Sequence, residues 1–498
     1  MRRCLIAGMA LALVGLLESV ASAGVPAVPI PEGPGAGELP QFIRYRDNPD
    51  SGSLPIPARE PPRHPFMAPN GKSNIHDDAY MTDTYRWAGP RGRDMERRSS
   101  FQAAECATHT FDSQGRVVTV CIGVEGPRLA MFDPDTLELL AVHPLPPRQP
   151  GGDPFTDFSG GGYFYLDHRD RAVIPTTNRQ LWIVRETAGP GFALERVYDL
   201  NSVVTPDDKV FSALPDWAGR IWFASQKGVV GNVEPRSGRI RALRLGEQIA
   251  NSFAVDETGG VFIVTDAALY RFDAGPNGKP RVTWREVYPN SGIRKPGQVS
   301  AGSGTTPTLM GSDYVSITDN ADPMDVVVYR RGARAEGSRR VCTEPVFKKG
   351  ESATDNSLIG TDTAMVVENN YGYSGPLATQ DGESVPGGLE RVDIDADGSG
   401  CHRVWHSNER APSVVPKLSV KNGLVYTYTK DPRSDGQDAW YLTTLDFANG
   451  KTVYKRLGGE GLGYNNHYAP ISIAPEGNLY VGTLGGLVLL RDGRSTDP

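Results

Sequence analysis

Val255-Asp256-Glu257-Thr258-Gly259-Gly260-Val261-Phe262-Ile263-Val264 holds the pattern on which the fold reading rests. An apolar pair ends a strand, an aspartate and a glycine make a turn, and four β-branched or aromatic residues run back. The phrase recurs along the chain. Phe111-Asp112-Ser113-Gln114-Gly115 leads to Val117-Val118-Thr119-Val120, Leu166-Asp167-His168-Arg169-Asp170 to Ala172-Val173-Ile174, and Pro215-Asp216-Trp217-Ala218-Gly219 to Ile221-Trp222-Phe223-Ala224. Later copies turn at Gly311-Ser312-Asp313, Gly360-Thr361-Asp362, Lys421-Asn422-Gly423 and Ala474-Pro475-Glu476-Gly477. That makes eight copies, about fifty residues apart, and a period of that length marks a repeat architecture.

Several copies continue into a second hairpin, as at Phe132-Asp133-Pro134-Asp135-Thr136-Leu137, Val233-Glu234-Pro235-Arg236-Ser237-Gly238-Arg239 and Leu445-Asp446-Phe447-Ala448-Asn449-Gly450-Lys451. Two hairpins per copy give four antiparallel strands, one blade of a β-propeller. The expected fold is all-β: an eight-bladed β-propeller of four-stranded antiparallel blades over residues 101–498. The last copy ends after three strands, so an outer strand from residues 75–100 is expected to close the ring.

Composition agrees. Glycine and proline together, 57 and 40 of 498 residues, make about a fifth of the chain, against a usual share of about 12%. Charged residues are 22%, and the net charge of −7 has no basic block to neutralise phosphates, which argues against a nucleic-acid partner.

The N-terminus reads as a Sec-type signal peptide over residues 1–23. Arg2 and Arg3 precede an apolar run from Leu5 to Leu17, and Ala21-Ser22-Ala23 offers a small-residue cleavage site. That run is too short to span a bilayer, which needs ~20 residues, and no other stretch is longer. The expectation is a secreted or periplasmic monomer without a membrane span. Residues 24–100 form a Pro-rich arm, with twelve prolines before residue 70.

Export leaves four cysteines in an oxidising space. Cys106 and Cys121 would face each other across the hairpin turning at Ser113-Gln114. Cys342 and Cys401 precede short runs at the ends of successive repeats, as a staple between neighbours would require. Free thiols or a metal site are the alternative, without CxxC spacing to support them.

The turns Glu234-Pro235-Arg236-Ser237-Gly238-Arg239 and Asp446-Phe447-Ala448-Asn449-Gly450-Lys451 resemble the blade signature of the quinoprotein-type (PQQ-like) eight-bladed propeller superfamily, over roughly residues 100–493. The resemblance implies the fold. That family's docking tryptophan is missing after Lys451, where Tyr454 stands, and there is no adjacent cysteine pair for a quinone to stack on. Pyrroloquinoline quinone is therefore not an expected cofactor.

Candidate chemistry sits where first strands begin, since these line the channel. Asn251, Thr306, Asn356, Lys417, Asn466 and His467 recur at near-blade intervals and should converge at one mouth. His467 and Lys417 are the expected catalytic bases, with Asn251, Thr306, Asn356, Asn466, Asn369 and Tyr371 as ligand-binding groups. Asp319 and Glu368, on equivalent loops, are candidates for a cation or for acid–base work. Asp393-Ile394-Asp395-Ala396-Asp397-Gly398 opens like a calcium loop, so Ca2+ is a possible ligand, although Val404 replaces the closing glutamate. Asn74-Ile75-His76-Asp77-Asp78-Ala79-Tyr80 is the densest polar–aromatic stretch, and His76 and Asp78 could reach a ligand across a channel mouth. The function expected is binding of a small organic molecule or saccharide at the channel mouth, with or without catalysis; the alternative is a non-catalytic ligand- or protein-binding propeller.

Overall fold

The computed structural model describes residues 24–45, 54–148, 155, 157 and 159–493. The proposed signal segment lies outside them. Eight antiparallel sheets follow one another along the chain, at residues 104–144, 165–199, 210–244, 254–287, 308–346, 359–407, 417–460 and 471–491. We number them blades 1 to 8. Blades 1 to 7 each contain four consecutive strands in sequence order. Blade 8 has three, and its fourth, outermost strand is Glu96–Phe101, antiparallel to Gly486–Arg491 in the register Glu96↔Arg491 to Phe101↔Gly486. Blade 7 is widened on both sides: Phe42–Arg44 pairs with its outer strand, and Thr84–Tyr85 runs parallel to its innermost strand, Lys417–Ser419.

The recurring aspartate explains why the first hairpins form. Asp256 Oδ1 accepts the backbone N–H of Thr258 at 3.0 Å and of Gly260 at 2.8 Å. Asp112, Asp167 and Asp216 hold the residues two and four positions on in the same way. The carboxylate thus satisfies turn N–H groups that would otherwise compete for the ladder. Gly259 takes φ 87° at the tip, a left-handed conformation that glycine adopts at little cost.

Inner strands are covered on both faces and read as continuous apolar runs, as Val261–Val264 does. Outer strands alternate; Arg340–Val346 exposes every second or third residue. The core lies between blades, where aliphatic and aromatic side chains of one sheet meet those of the next. Outer-strand aromatics also latch onto the following blade. Tyr198 donates to Pro235 O (2.9 Å), Trp284 to Gly332 O (3.2 Å) and Trp405 to Phe447 O (2.8 Å). Trp405 lies so close over Gly450 that a Cβ there would sit 2.5 Å from its ring.

Both cysteine pairs are joined. Cys106 and Cys121 face each other across the first hairpin of blade 1. Cys342 and Cys401 tie the outer strands of blades 5 and 6. They are consistent with an extracytoplasmic location. Among the described residues, no helix is long and apolar enough to cross a membrane.

Candidate functional site

The channel is occupied by the chain's own N-terminal segment. Leu166 of blade 2 donates its N–H to Ser73 O, Val255 of blade 4 to Ala79 O, Leu309 of blade 5 to Tyr80 O, Gly360 of blade 6 to Thr82 O, and Leu418 of blade 7 to Asp83 O, all at 2.7–3.0 Å. Trp87 Nε1 then reaches Ile473 O of blade 8 at 2.7 Å. Residues 73–83 are all buried. Their polar side chains fold the segment on itself: Asn74 Oδ1 accepts the His76 N–H (2.7 Å), and Asp78 Oδ1 that of Tyr80 (2.8 Å). Asp77, Met81 and Asp83 have φ of 77°, 59° and 56°. Such strain, of order 1 kcal/mol or more per residue, persists only where packing over-determines it.

Inside this plug lies a charge cluster. Lys417 Nζ is 2.5 Å from Asp83 Oδ1 and 3.3 Å from Asp77 Oδ2, and it donates to Ile75 O. Burial alone would raise Asp83, but Lys417 and His76 hold its carboxyl below the ordinary range. Burial pushes Asp77 well above that range even with Lys417 beside it. His76 Nδ1 is 3.0 Å from Asp83 Oδ1 and 2.9 Å from Ser357 Oγ, while Ser357 donates to Asp83 Oδ2. An ionised carboxylate only accepts, so Nδ1 carries a proton, and whenever the ring is neutral its lone pair is on Nε2.

His76 and Ile75 contribute to the lining of a cavity of about 480 Å³. Its walls come from the first-strand starts of blades 4 to 8 and from blade 1. Five lining side chains, from four separate stretches of sequence, each have a buried polar atom without a partner among the described residues: His76 Nε2, Glu105 Oε1, Asn251 Nδ2, Asp355 Oδ1 and Asn356 Oδ1. Their other atoms are anchored. Asn251 Oδ1 accepts from Tyr163 OH (3.2 Å), and Asp355 Oδ2 accepts the Val299 N–H (2.8 Å). Asn356 Nδ2 donates to Glu368 Oε1 (3.0 Å) and Val414 O (2.8 Å). Burial pushes both Glu105 and Asp355 up to about 8.

Of the sequence-predicted residues, Asn251, Thr306, Asn356 and His467 line this cavity. His467 is engaged at both ring nitrogens: Nε2 lies 2.8 Å from Phe155 O and Nδ1 3.1 Å from Tyr373 OH. A carbonyl only accepts, so Nε2 carries the proton and Nδ1 receives the tyrosine hydroxyl. Lys417 is within the plug cluster and fully buried. Asn466 is spent on Ala469 O and Gly482 O, and Asn369 on Glu351 O and Gly387 O. Tyr371 donates its N–H to Asn369 Oδ1 and does not contribute to the cavity lining.

Glu368 and Asp319 are apart from each other in function. Glu368, pushed up to about 8 by burial, accepts from Asn356, Asn370 and Thr427, and so fixes the amide of Asn356. Asp319, also pushed up to about 8 by burial, accepts the N–H groups of Ala321 and Asp325. In the Asp393–Gly398 turn the carboxylates diverge: Asp393 pairs with Arg391, Asp395 with His402, and Asp397 with Ser399. Among the described residues no group of three or more His, Cys, Asp or Glu is placed to hold a metal.

Sequence reasoning missed Glu105, Asp355 and the His76–Asp83 pair. The signal for Glu105 was a charge within an otherwise buried inner strand. Asp355 was adjacent to the amide chosen in its place.

No protein-family model matches the chain. An uncharacterized protein of Archaeoglobus fulgidus is 31% identical over 334 residues, 60% of this chain and 63% of that protein, so the chain spans less than two thirds of that relative's length. Similar solved structures include a streptogramin B lyase, 10% identical over 80% of this chain and 97% of that one, with a TM-score of 0.40. The C-terminal WD40 domain of Sif2 is 10% identical over 76% and 92%, at 0.45. Virginiamycin B lyase from Staphylococcus aureus is 11% identical over 72% and 98%, at 0.38. Kinship with quinoproteins is not confirmed; the eight-bladed ring stands on its own strand pairing.

Proposed function

We propose that this is an exported propeller, its residues 1–23 serving as signal peptide, that binds a small polar organic molecule or saccharide in the cavity above the plug. One observation carries the reading: five buried polar atoms, brought from four separate stretches of the chain, lack partners in one cavity. An unpaired buried polar group costs about 1–3 kcal/mol, and a ligand that pairs several at once recovers that cost. The volume lies within the roughly 300–1,000 Å³ of small-molecule sites. The rings of Tyr163, Tyr468 and Phe101 supply apolar contact.

The His76–Asp83 pair favours a second reading, in which the bound molecule is also a substrate. A carboxylate orients the imidazole, and Nε2 is left to take a proton from a ligand O–H. In that case His76 is the base, and His467 positions the wall.

The test is to expose the protein to its native growth medium, repurify it, and identify retained small molecules by mass spectrometry. A molecule held by the wild type and lost from Asn251→Ala/Asn356→Ala supports the reading. The same molecule held equally by both overturns it.

A further inference from the structure

We propose that the ligand of this cavity carries an ammonium group, paired by the carboxylates of Glu105 and Asp355. The inference rests on the binding reading above and names the ligand's chemistry.

The first ground is the polarity of the unpartnered atoms. Asn356 Oδ1 accepts, because its Nδ2 is bound to Glu368 and two backbone carbonyls. His76 Nε2 accepts whenever the ring is neutral, because Nδ1 holds the proton against Asp83. Glu105 Oε1 and Asp355 Oδ1 accept whenever ionised. Only Asn251 Nδ2 donates, its oxygen being taken by Tyr163. With both carboxyls ionised, four acceptors face one donor, an arrangement matched by a donor-rich cation, and an ammonium brings up to three donors with a charge.

The second ground is the charge around the two carboxyls. Arg148 lies near Glu105, but its guanidinium is spent on Ser159 O at 3.2 Å and on Asp157 O. Arg294, near Asp355, donates Nε to Gln298 O at 2.7 Å. Asp157 is paired with Lys209 at 2.8 Å. Tyr163 and Tyr468 are kept neutral by burial first, with Asp355 acting in the same direction. Glu105 has the Arg148 charge and the His467 backbone N–H beside it, and Asp355 has the Val299 N–H and the Arg294 charge, but burial outweighs both sets. Glu105 Oε1 and Asp355 Oδ1 are left without partners, so each carboxyl holds its proton below about pH 8 when the cavity is empty. An ammonium supplies that compensation, and each ionising carboxyl then releases its proton to solvent while the ligand keeps its own.

This predicts a sign. Ammonium binding below the empty-state carboxyl range expels protons, so affinity rises with pH between about 6 and 8 and then levels. A neutral polyol that uses the protonated carboxyls as donors shows the reverse.

Titration calorimetry with two matched pairs, 1,4-diaminobutane against 1,4-butanediol and cyclohexylamine against cyclohexanol, separates the cases. The expected result is amine affinity at least about tenfold above the alcohol, with proton release read from the dependence of heat on buffer ionisation. In Glu105→Gln/Asp355→Asn, amine affinity falls about tenfold and proton release disappears. Should that variant not fold, proton release and pH slope in the wild type decide alone. Alcohols bound as tightly as amines, and lost in Asn251→Ala/Asn356→Ala, overturn the ammonium while sparing the cavity reading. Amine binding without proton release, or no binding by any probe, also overturns it.

Discussion

Replacing Lys417 by methionine tests whether the plug is held by its charge cluster. Methionine keeps most of the side-chain volume, so the change isolates the ammonium. In the wild type that group is fully buried, 2.5 Å from Asp83 and 3.3 Å from Asp77. Without it two carboxyls stay buried, Asp83 facing His76 and Ser357 and Asp77 facing the Tyr85 hydroxyl, with no cationic lysine between them. Breaking a buried pair by removing one partner costs about 3–5 kcal/mol, mostly the penalty of the charge left behind. Burial lowers the Lys417 pKa, but Asp77 and Asp83 more than offset this and raise it; Asp83 is depressed. Lys417 therefore stabilises at all pH below its unfolded value and loses that contribution only as pH rises through its folded one. Asp83 stabilises above its unfolded value and loses the effect as pH falls through its folded one. Both contributions are present at neutral pH. In the variant the stranded carboxyls can take up protons, so the loss should be smaller at about pH 5 than at about pH 8. Equilibrium urea unfolding followed by tryptophan fluorescence reads both quantities, with Trp87 at the end of the plug as an internal reporter. Adding Asp83→Asn should restore part of the loss. A loss below about 1 kcal/mol, or one independent of pH, would refute an electrostatic role for the cluster.

Two further outcomes follow from ring closure and the staples. Ser99→Pro/Ser100→Pro removes two N–H donors from the strand that completes blade 8; the exposed edge at Gly486–Arg491 should drive self-association visible by sedimentation, and a monomer with unchanged melting temperature would deny closure by this strand. Non-reducing peptide mapping should recover Cys106–Cys121 and Cys342–Cys401, and Cys342→Ser/Cys401→Ser should lose up to about 4 kcal/mol on the loop-entropy argument; a free thiol at any of these four positions would contradict the pairing.

The ring was legible because its signal is local and repeated. An aspartate that holds two N–H groups of its own turn leaves the same mark at Asp112, Asp167, Asp216 and Asp256, and β-branched runs on either side give the strand pairing. The cysteine partners were legible for the same reason, since strand position within a blade sets which residues meet. The site was legible in part. Periodicity brought Asn251, Thr306, Asn356 and His467 to one wall, because residues at equivalent places in a ring converge. It says nothing of what each side chain is already bonded to. His467 is tied at both nitrogens by Phe155 and Tyr373, and Lys417 turns into the plug, both through partners outside the repeat.

That failure identifies what a propeller's period leaves undetermined. A repeat predicts which positions face the axis, but the central space of this ring is filled by residues 73–87, which belong to no repeat. The plug presents buried polar groups to every first strand it passes, and each must find a partner. Lys417 and Ser357 are therefore taken up by Asp83, whereas Asn251, Asp355 and Asn356 have polar atoms left over. His76 joins the two layers, with Nδ1 in the plug cluster and Nε2 unpartnered at the cavity. A ligand hydrogen-bonded to Nε2 is thus linked through one imidazole to Asp83 and Lys417. If the protein is an enzyme, His76 is where its acid–base chemistry begins, and His76→Asn should then abolish turnover while retaining the ligand.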